Sequence, residues 1–225
     1  MNVCAIIVGA GKGERLDAET PKSIVKLGDK PLVRWCVEAM AAVETITSIV
    51  VLAPSGYEQQ IEDILQGIDR PVIVKTGGET RTDSVRIGVK SVAKSCNIVA
   101  IHDAARPLIK PSHILRVIIA AAEHGAAALA TPVNDTLKRV EGECIISTQP
   151  RDNLWAVQTP QVFQRELLER ALELLSQGVF LSDDCALLER IGESVRVVRG
   201  DATNIKITYP EDIIIAEAIK ERLKG

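Results

Sequence analysis

Val3-Cys4-Ala5-Ile6-Ile7-Val8, running straight into Gly9-Ala10-Gly11-Lys12-Gly13-Glu14-Arg15, decides how the rest of this sequence is read. The apolar run reads as a buried strand. Three glycines in the next five positions remove Cβ atoms where a backbone must approach something closely. N–H groups in such a turn can cradle an anion, and Lys12, Arg15 and the later Pro21-Lys22 pair add fixed positive charge. A strand, a glycine turn and spaced cations are what a polyphosphate site needs. A dinucleotide fingerprint is excluded, because the third glycine comes one residue early for G-x-G-x-x-G. A P-loop is excluded too, since Glu14 follows Gly13 and no Gly-Lys-Ser/Thr frame exists. The plainer alternative is a tight strand-to-helix turn with surface lysines. Pro21 weighs against it, because proline stiffens the chain before Lys22 and would hold its ammonium in place.

Outward from this turn, strands and helices alternate. Strands are expected at Val3–Val8, Ile46–Ala53, Val72–Lys75, Asn97–His102, Ala126–Pro132, Ser194–Val198 and Asn204–Thr208. Helices are expected at Pro31–Val43, Tyr57–Gly67, Thr82–Ser95, Pro111–His124, Gln164–Gln177 and Asp183–Ile191, and from Pro210 onward. Such repetition predicts an α/β fold: a mostly parallel, Rossmann-like sheet with helices on both faces. Near Asn134 the pattern breaks. Thr136–Val140 and Cys144–Thr148 flank Glu141-Gly142-Glu143, a hairpin signal. With little apolar alternation it would be unstable alone. It is read as a protruding β-arm, residues 134–155, packing on a partner subunit within a single 1–225 domain; a hairpin lying on its own domain fits the spacing equally.

The bulk numbers agree. Apolar residues make up 46% and aromatics 3%, so Ile, Val, Leu and Ala must build the core, as in a buried parallel sheet. A net charge of −3 argues against a broad nucleic-acid face. The five cysteines (Cys4, Cys36, Cys96, Cys144, Cys185) form no C-x-x-C pair, which removes zinc and redox spacings. No signal peptide is evident, and no apolar run reaches the roughly 20 residues of a membrane helix. A cytoplasmic setting without membrane contact is expected. The end at Gly225, directly after the last helix, favours a stand-alone enzyme over one half of a fused one.

Four further clusters could carry chemistry. Gly77-Gly78-Glu79-Thr80-Arg81-Thr82-Asp83-Ser84 could present backbone groups, Arg81 and Ser84 to a base edge, or could be an ordinary capped helix start. His102-Asp103-Ala104-Ala105-Arg106-Pro107 follows a strand and so falls at the edge where open α/β sheets bind ligands. Asp103 and Arg106 are the candidates there, with His102 discounted. Asp135-Thr136, Arg151 and Leu154–Gln161 surround the hairpin. In Asn204-Ile205-Lys206-Ile207-Thr208 the lysine alternates with apolar residues and points away from them, to the surface or into a cleft.

Together these motifs, with Asp183-Asp184 and Asn204–Asp212, resemble the 2-C-methyl-D-erythritol 4-phosphate cytidylyltransferase family of the sugar nucleotidyltransferases. The resemblance runs from the first strand to the last helix. It implies a reaction in which a sugar-alcohol phosphate attacks the α-phosphorus of CTP and pyrophosphate leaves, in the non-mevalonate route to isoprenoid precursors. By the same resemblance Arg15 and Lys22 match the positions that stabilise charge on the α-phosphate. Ala10, Gly11, Gly13, Gly78, Glu79, Arg81 and Ser84 match the nucleotide side. Asp103, Arg106, Thr136 and Thr159 match the substrate side, where Arg151 and Lys206 hold the phosphate for attack. It further implies a homodimer in which Thr136 and Arg151 reach the neighbouring site, and Mg2+ or another divalent cation held mainly by phosphates, with Asp103 as the candidate protein ligand. Ser23 departs from the glutamine common after Pro-Lys in this family. The rival readings are a ribitol 5-phosphate cytidylyltransferase, which would share the CTP loop, and a catalytically silent nucleotide-binding module.

Overall fold

The computed structural model describes residues 1–11, 20–175 and 181–224. In chain order come β1 (Val3–Val8), β2 (Lys26–Leu27), β3 (Lys30–Pro31), α1 (Leu32–Ala41), β4 (Ile46–Ala53), α2 (Glu58–Ile64) and β5 (Val72–Thr76). Next are α3 (Arg81–Ser91), β6 (Ile98–Asp103), α4 (Pro111–His124), β7 (Ala126–Pro132), β8 (Leu137–Glu141), β9 (Cys144–Gln149) and β10 (Trp155–Gln164). The series ends with α5 (Arg165–Glu173), α6 (Cys185–Arg190), β11 (Arg196–Arg199) and α7 (Pro210–Lys224).

Seven strands form one sheet in the order β11-β7-β10-β6-β1-β4-β5. β1 lies near its centre, parallel to β4 on one side and β6 on the other. Among the described residues of this sheet, β10 alone runs antiparallel to its neighbours, β6 and β7. Because β1 is buried on both faces, all six of its positions are apolar instead of alternating. One face carries α1 and α4, whose apolar residues recur at helical spacing: Leu32, Val33, Cys36, Val37 and Met40, then Ile114, Val117, Ile118 and Ala121. The other face carries α3, α5 and α6 around Phe163, Ile6 and Leu52. Each such fully buried side chain contributes about 1.5–3 kcal/mol relative to exposure. α4 stops at Gly125, whose φ of 89° suits a residue without Cβ. The expected α/β architecture is therefore present, with helices on both faces of a mostly parallel sheet.

Two expectations are corrected. Asn204–Thr208 is not a strand; it is tied to the sheet by side chains, Asn204 Nδ2 donating to the Thr159 carbonyl of β10 at 3.0 Å and Lys206 Nζ to Asp103 of β6 at 2.7 Å, while Ile207 N–H donates to the Ala105 carbonyl just past β6 at 2.8 Å. The apolar alternation is real, with Ile207 buried and Ile205 partly so against α7, but it serves an irregular segment. Conversely β10 is absent from the expected strands. Its polar run Gln158-Thr159-Pro160-Gln161 does not look like a central strand, and proline cannot donate to a ladder. The structure accommodates it by a register shift between Val157 and Gln161, so Pro160 sits where the pairing with β7 lapses. The hairpin β8–β9 forms as expected, around Gly142 at φ 59°. Nearly every residue of its two strands is exposed, including Val140, Ile145 and Ile146.

Candidate active site

The strands β1, β4, β5 and β6 all end at one edge of the sheet, and their C-terminal turns enclose a cleft of about 1080 Å³. Parallel strands place successive turns side by side, which is why residues far apart in sequence converge here. Ala10 and Gly11 form its floor after β1. Gly78, Glu79, Arg81 and Ser84 come from the turn after β5, Asp103 from the end of β6, and Lys22 and Lys206 from the flanking segments. Arg15 and Gly13 lie outside the described residues.

The Gly77-Gly78 turn is shaped by close approach. A Cβ on Gly77 would come within 2.2 Å of the Ala10 Cβ, and one on Gly78 within 2.4 Å of the Asp83 Cβ. Gly77 thus lets the β1 and β5 turns meet, and Gly78 lets its own turn close onto the start of α3. Ser84 secures this turn: its hydroxyl accepts from Gly78 N–H at 3.0 Å and donates to the Thr80 carbonyl at 3.0 Å. Thr80 caps α3, accepting from Asp83 N–H at 3.0 Å. The capped-helix reading of this motif and its place in the cleft are therefore both true.

At the centre lies a chain of alternating charges. Asp184 Oδ1 accepts from Arg81 Nη1 at 2.7 Å. Arg81 Nε and Nη2 both donate to Asp103 Oδ1, at 3.2 and 3.1 Å. Asp103 Oδ2 accepts from Lys206 Nζ at 2.7 Å. Burial opposes the charge on Asp103, but Arg81 and then Lys206 outweigh it and hold the carboxyl well below its usual range. Burial likewise opposes the Arg81 charge, and Asp184 and Asp103 outweigh it. Burial raises the Asp184 carboxyl against the pull of Arg81, and its Oδ2 has no hydrogen-bond partner among the described residues.

Beneath Asp103 stands His102, fully buried. Its Nε2 faces the Arg106 carbonyl at 3.1 Å, an atom that can only accept, so Nε2 carries the proton. Nδ1 then accepts from the Thr159 hydroxyl at 2.9 Å, and that oxygen accepts Asp103 N–H at 3.1 Å. Burial pushes the imidazole down to about 4, so the ring is a neutral strut. Thr159 is thus engaged under Asp103 and lines a small side pocket. Arg106 lines the same pocket and donates through Nη1 to the Asn204 carbonyl at 2.8 Å. Lys22 Nζ donates to the Ile207 carbonyl at 2.8 Å, which ties it to the segment carrying Lys206. Thr136 and Arg151 are not brought to this cleft. Both are exposed at the root of the hairpin, where Arg151 Nη1 donates to the Asn134 carbonyl.

Three residues that stand in the quoted motifs without an assigned role prove to be supports. Gln161 Oε1 accepts from Asp184 N–H at 2.8 Å and Cys185 N–H at 3.2 Å. Asn204 Nδ2 donates to Gln158 Oε1 at 3.1 Å and the Thr159 carbonyl at 3.0 Å. Asp184 itself lies ahead of α6 like any capping residue. The signal for the first two was polar side chains inside runs that otherwise pack as core.

A mostly parallel α/β sheet with a glycine-rich first turn, a second glycine turn pressed against it and lysines around a shared cleft is the architecture of a nucleotidyltransferase. The 2-C-methyl-D-erythritol 4-phosphate cytidylyltransferase family model matches residues 3–222. A relative of that name from Desulforamulus reducens is 42% identical, covering 98% of this chain and 97% of its own length. The crystal structure of 4-diphosphocytidyl-2C-methyl-D-erythritol synthase from Anaerococcus prevotii is similar at a TM-score of 0.85 and 31% identity, covering 98% of both chains. That of 2-C-methyl-D-erythritol 4-phosphate cytidylyltransferase from Thermus thermophilus is similar at 0.82 and 32%, covering 98% of this chain and 100% of that one. The chain belongs to the 2-C-methyl-D-erythritol 4-phosphate cytidylyltransferase family.

Proposed function

We propose that this protein transfers the cytidylyl group of CTP to 2-C-methyl-D-erythritol 4-phosphate, giving 4-diphosphocytidyl-2-C-methyl-D-erythritol and pyrophosphate. The observation that carries the reading is the full-length family match, joined to a cleft where Lys22 and Lys206 stand beside the two glycine turns. A phosphate oxygen of the alcohol phosphate forms a bond to the α-phosphorus. The bond from that phosphorus to the bridging oxygen breaks, and its electron pair leaves with pyrophosphate. The attacking phosphate is already ionised, so no general base is required. Both reactants are anions, and fixed cations offset their repulsion while stabilising the charge that gathers in the transition state.

In this reading Arg15 and Lys22 act on the α-phosphate. Ala10, Gly11, Gly13 and the Gly78–Ser84 turn hold the nucleotide. The Arg81 guanidinium is engaged by two carboxylates, so recognition of the base falls to the backbone of its turn. Lys206 and Arg106, beside Asp103 and Thr159, take the alcohol phosphate. Thr136 and Arg151 complete the neighbouring subunit's site, through a homodimer made by the exposed arm.

Among the described residues no three His, Cys, Asp or Glu side chains gather to hold a metal ion. Asp103 Oδ2 accepts a single bond and keeps a lone pair, so it fits a divalent cation such as Mg2+ whose other ligands are phosphate oxygens and water. Bound there, such an ion would supply charge neutralisation across the triphosphate.

Pyrophosphate release measured with CTP and either 2-C-methyl-D-erythritol 4-phosphate or ribitol 5-phosphate tests the assignment. Turnover of the first is expected, and a clear preference for the second would overturn it.

A further inference from the structure

Arg81 approaches Asp103 in an unusual way. A guanidinium beside a carboxylate commonly forms a two-pronged fork, one N–H to each oxygen. Here both Nε and Nη2 point at the same oxygen, Oδ1, at 3.2 and 3.1 Å. The remaining nitrogen, Nη1, is held at 2.7 Å by Asp184, which is 2% exposed. Asp184 is in turn fixed by Gln161, whose side-chain oxygen accepts its backbone N–H at 2.8 Å. The anchored Nη1 keeps Arg81 from swinging onto both Asp103 oxygens, and Oδ2 is left for Lys206 at 2.7 Å.

We infer that Asp184 is a positioning residue: by holding one edge of Arg81 it reserves one oxygen of Asp103 for Lys206 and so sets where that ammonium stands in the cleft. This rests on the proposed function in assigning Lys206 to the alcohol phosphate. Without Asp184, Arg81 closes into a fork on Asp103, and Lys206, left to share Oδ2 with a guanidinium, loses its sole claim on that oxygen and its fixed position. Asp184 touches no reactant; its effect passes through Arg81.

The test is Asp184→Asn, which keeps shape and removes charge. The KM for 2-C-methyl-D-erythritol 4-phosphate should rise about tenfold, the scale of one charged hydrogen bond, while the KM for CTP stays within about twofold. Asp184→Glu, which keeps the charge, should recover most of the loss. Arg81→Lys, whose ammonium cannot span both carboxylates, should give the same split, and it serves if Asp184→Asn does not fold. A readout that needs no turnover is the rate at which acetic anhydride labels Lys206, followed by peptide mass spectrometry. It should increase several-fold in Asp184→Asn, as the amine loses its ion pair. Equal increases in both KM values, unchanged KM values or unchanged labelling would each overturn the inference. If the wild-type protein turns over neither alcohol phosphate, the proposed function fails, and the labelling alone then decides the role of Asp184.

Discussion

The cleft and the arm solve the placement of charge in opposite ways. In the cleft, Arg81 and Asp103 are drawn into a buried network whose every charge faces an opposite one, with Asp184 and Asp103 almost free of solvent. On the arm, Arg151 and Thr136 stand in the open, on a hairpin with no buried residue of its own. A buried charge must be paired where it sits, so the fold determines its geometry completely. An exposed one carries no such demand, and its useful geometry has to come from something outside the chain. The two regions therefore differ in what would disturb them: the cleft through its own partners, and the arm, in the proposed function, through loss of a second subunit.

The sharpest way to break this contrast is Lys22→Ala. Removing one preorganised donor from a charge-stabilising site costs about 10² to 10³ in rate, so kcat should fall by that factor while the melting temperature holds. Undiminished pyrophosphate release would show that the cleft does not work electrostatically. The contrast with the arm is sharpened by mixing. Lys22→Ala and Arg151→Ala chains, each inactive alone, should regain about a quarter of wild-type activity when dimers re-form at random, since half the dimers then hold one complete site. No recovery would place Arg151 outside the partner's site.

Within the cleft, Arg81→Ala leaves Asp184 buried and unpaired, and should destabilise the fold by about 3–5 kcal/mol in urea unfolding. Next comes pH. The buried His102 titrates at about 4, against an ordinary value of 6.5. The unfolded chain binds the extra proton in that window, so stability is complete above about pH 6.5 and declines as pH falls toward 4, by about 3 kcal/mol from this group. His102→Gln should flatten that part of the stability profile. The smallest effect is expected on the arm. Ile145→Ser should change unfolding stability at low protein concentration by less than about 0.5 kcal/mol, yet weaken dimerisation in analytical ultracentrifugation.

How legible each part was follows from the same physics. Val3–Val8, Ile46–Ala53 and Ala126–Pro132 were bounded correctly from sequence, because strands largely buried on both faces are predominantly apolar and these end abruptly at a glycine or proline. β10 was hidden because its middle carries Gln158, Thr159 and Gln161, polar groups that lie inside the protein by bonding to partners far along the chain, and Pro160, which cannot donate to a ladder. Asn204–Thr208 looked like a strand because its alternation is real, although the buried face belongs to α7 and not to a sheet. In the site, the glycine turns and the lysines were visible as local motifs. Asp184 was visible only as part of the Asp183-Asp184 motif and without a role, because an acid ahead of a short helix is what any helix start carries.

By itself the sequence determined the alternation of strands and helices, the glycine turn after β1 and the set of residue types available for a polyphosphate, since each depends on neighbours a few residues away. Only the tertiary structure decided which of those charges meet. Asp184 ahead of α6, Arg81 at the start of α3, Asp103 at the end of β6 and Lys206 in an irregular segment lie far apart in the chain, and their order of pairing depends on hydrogen bonds as short as 2.7 Å between groups brought together by the sheet. No local pattern encodes that order, because the free energy of a buried charge is set by what surrounds it in space and not by what precedes it in the chain.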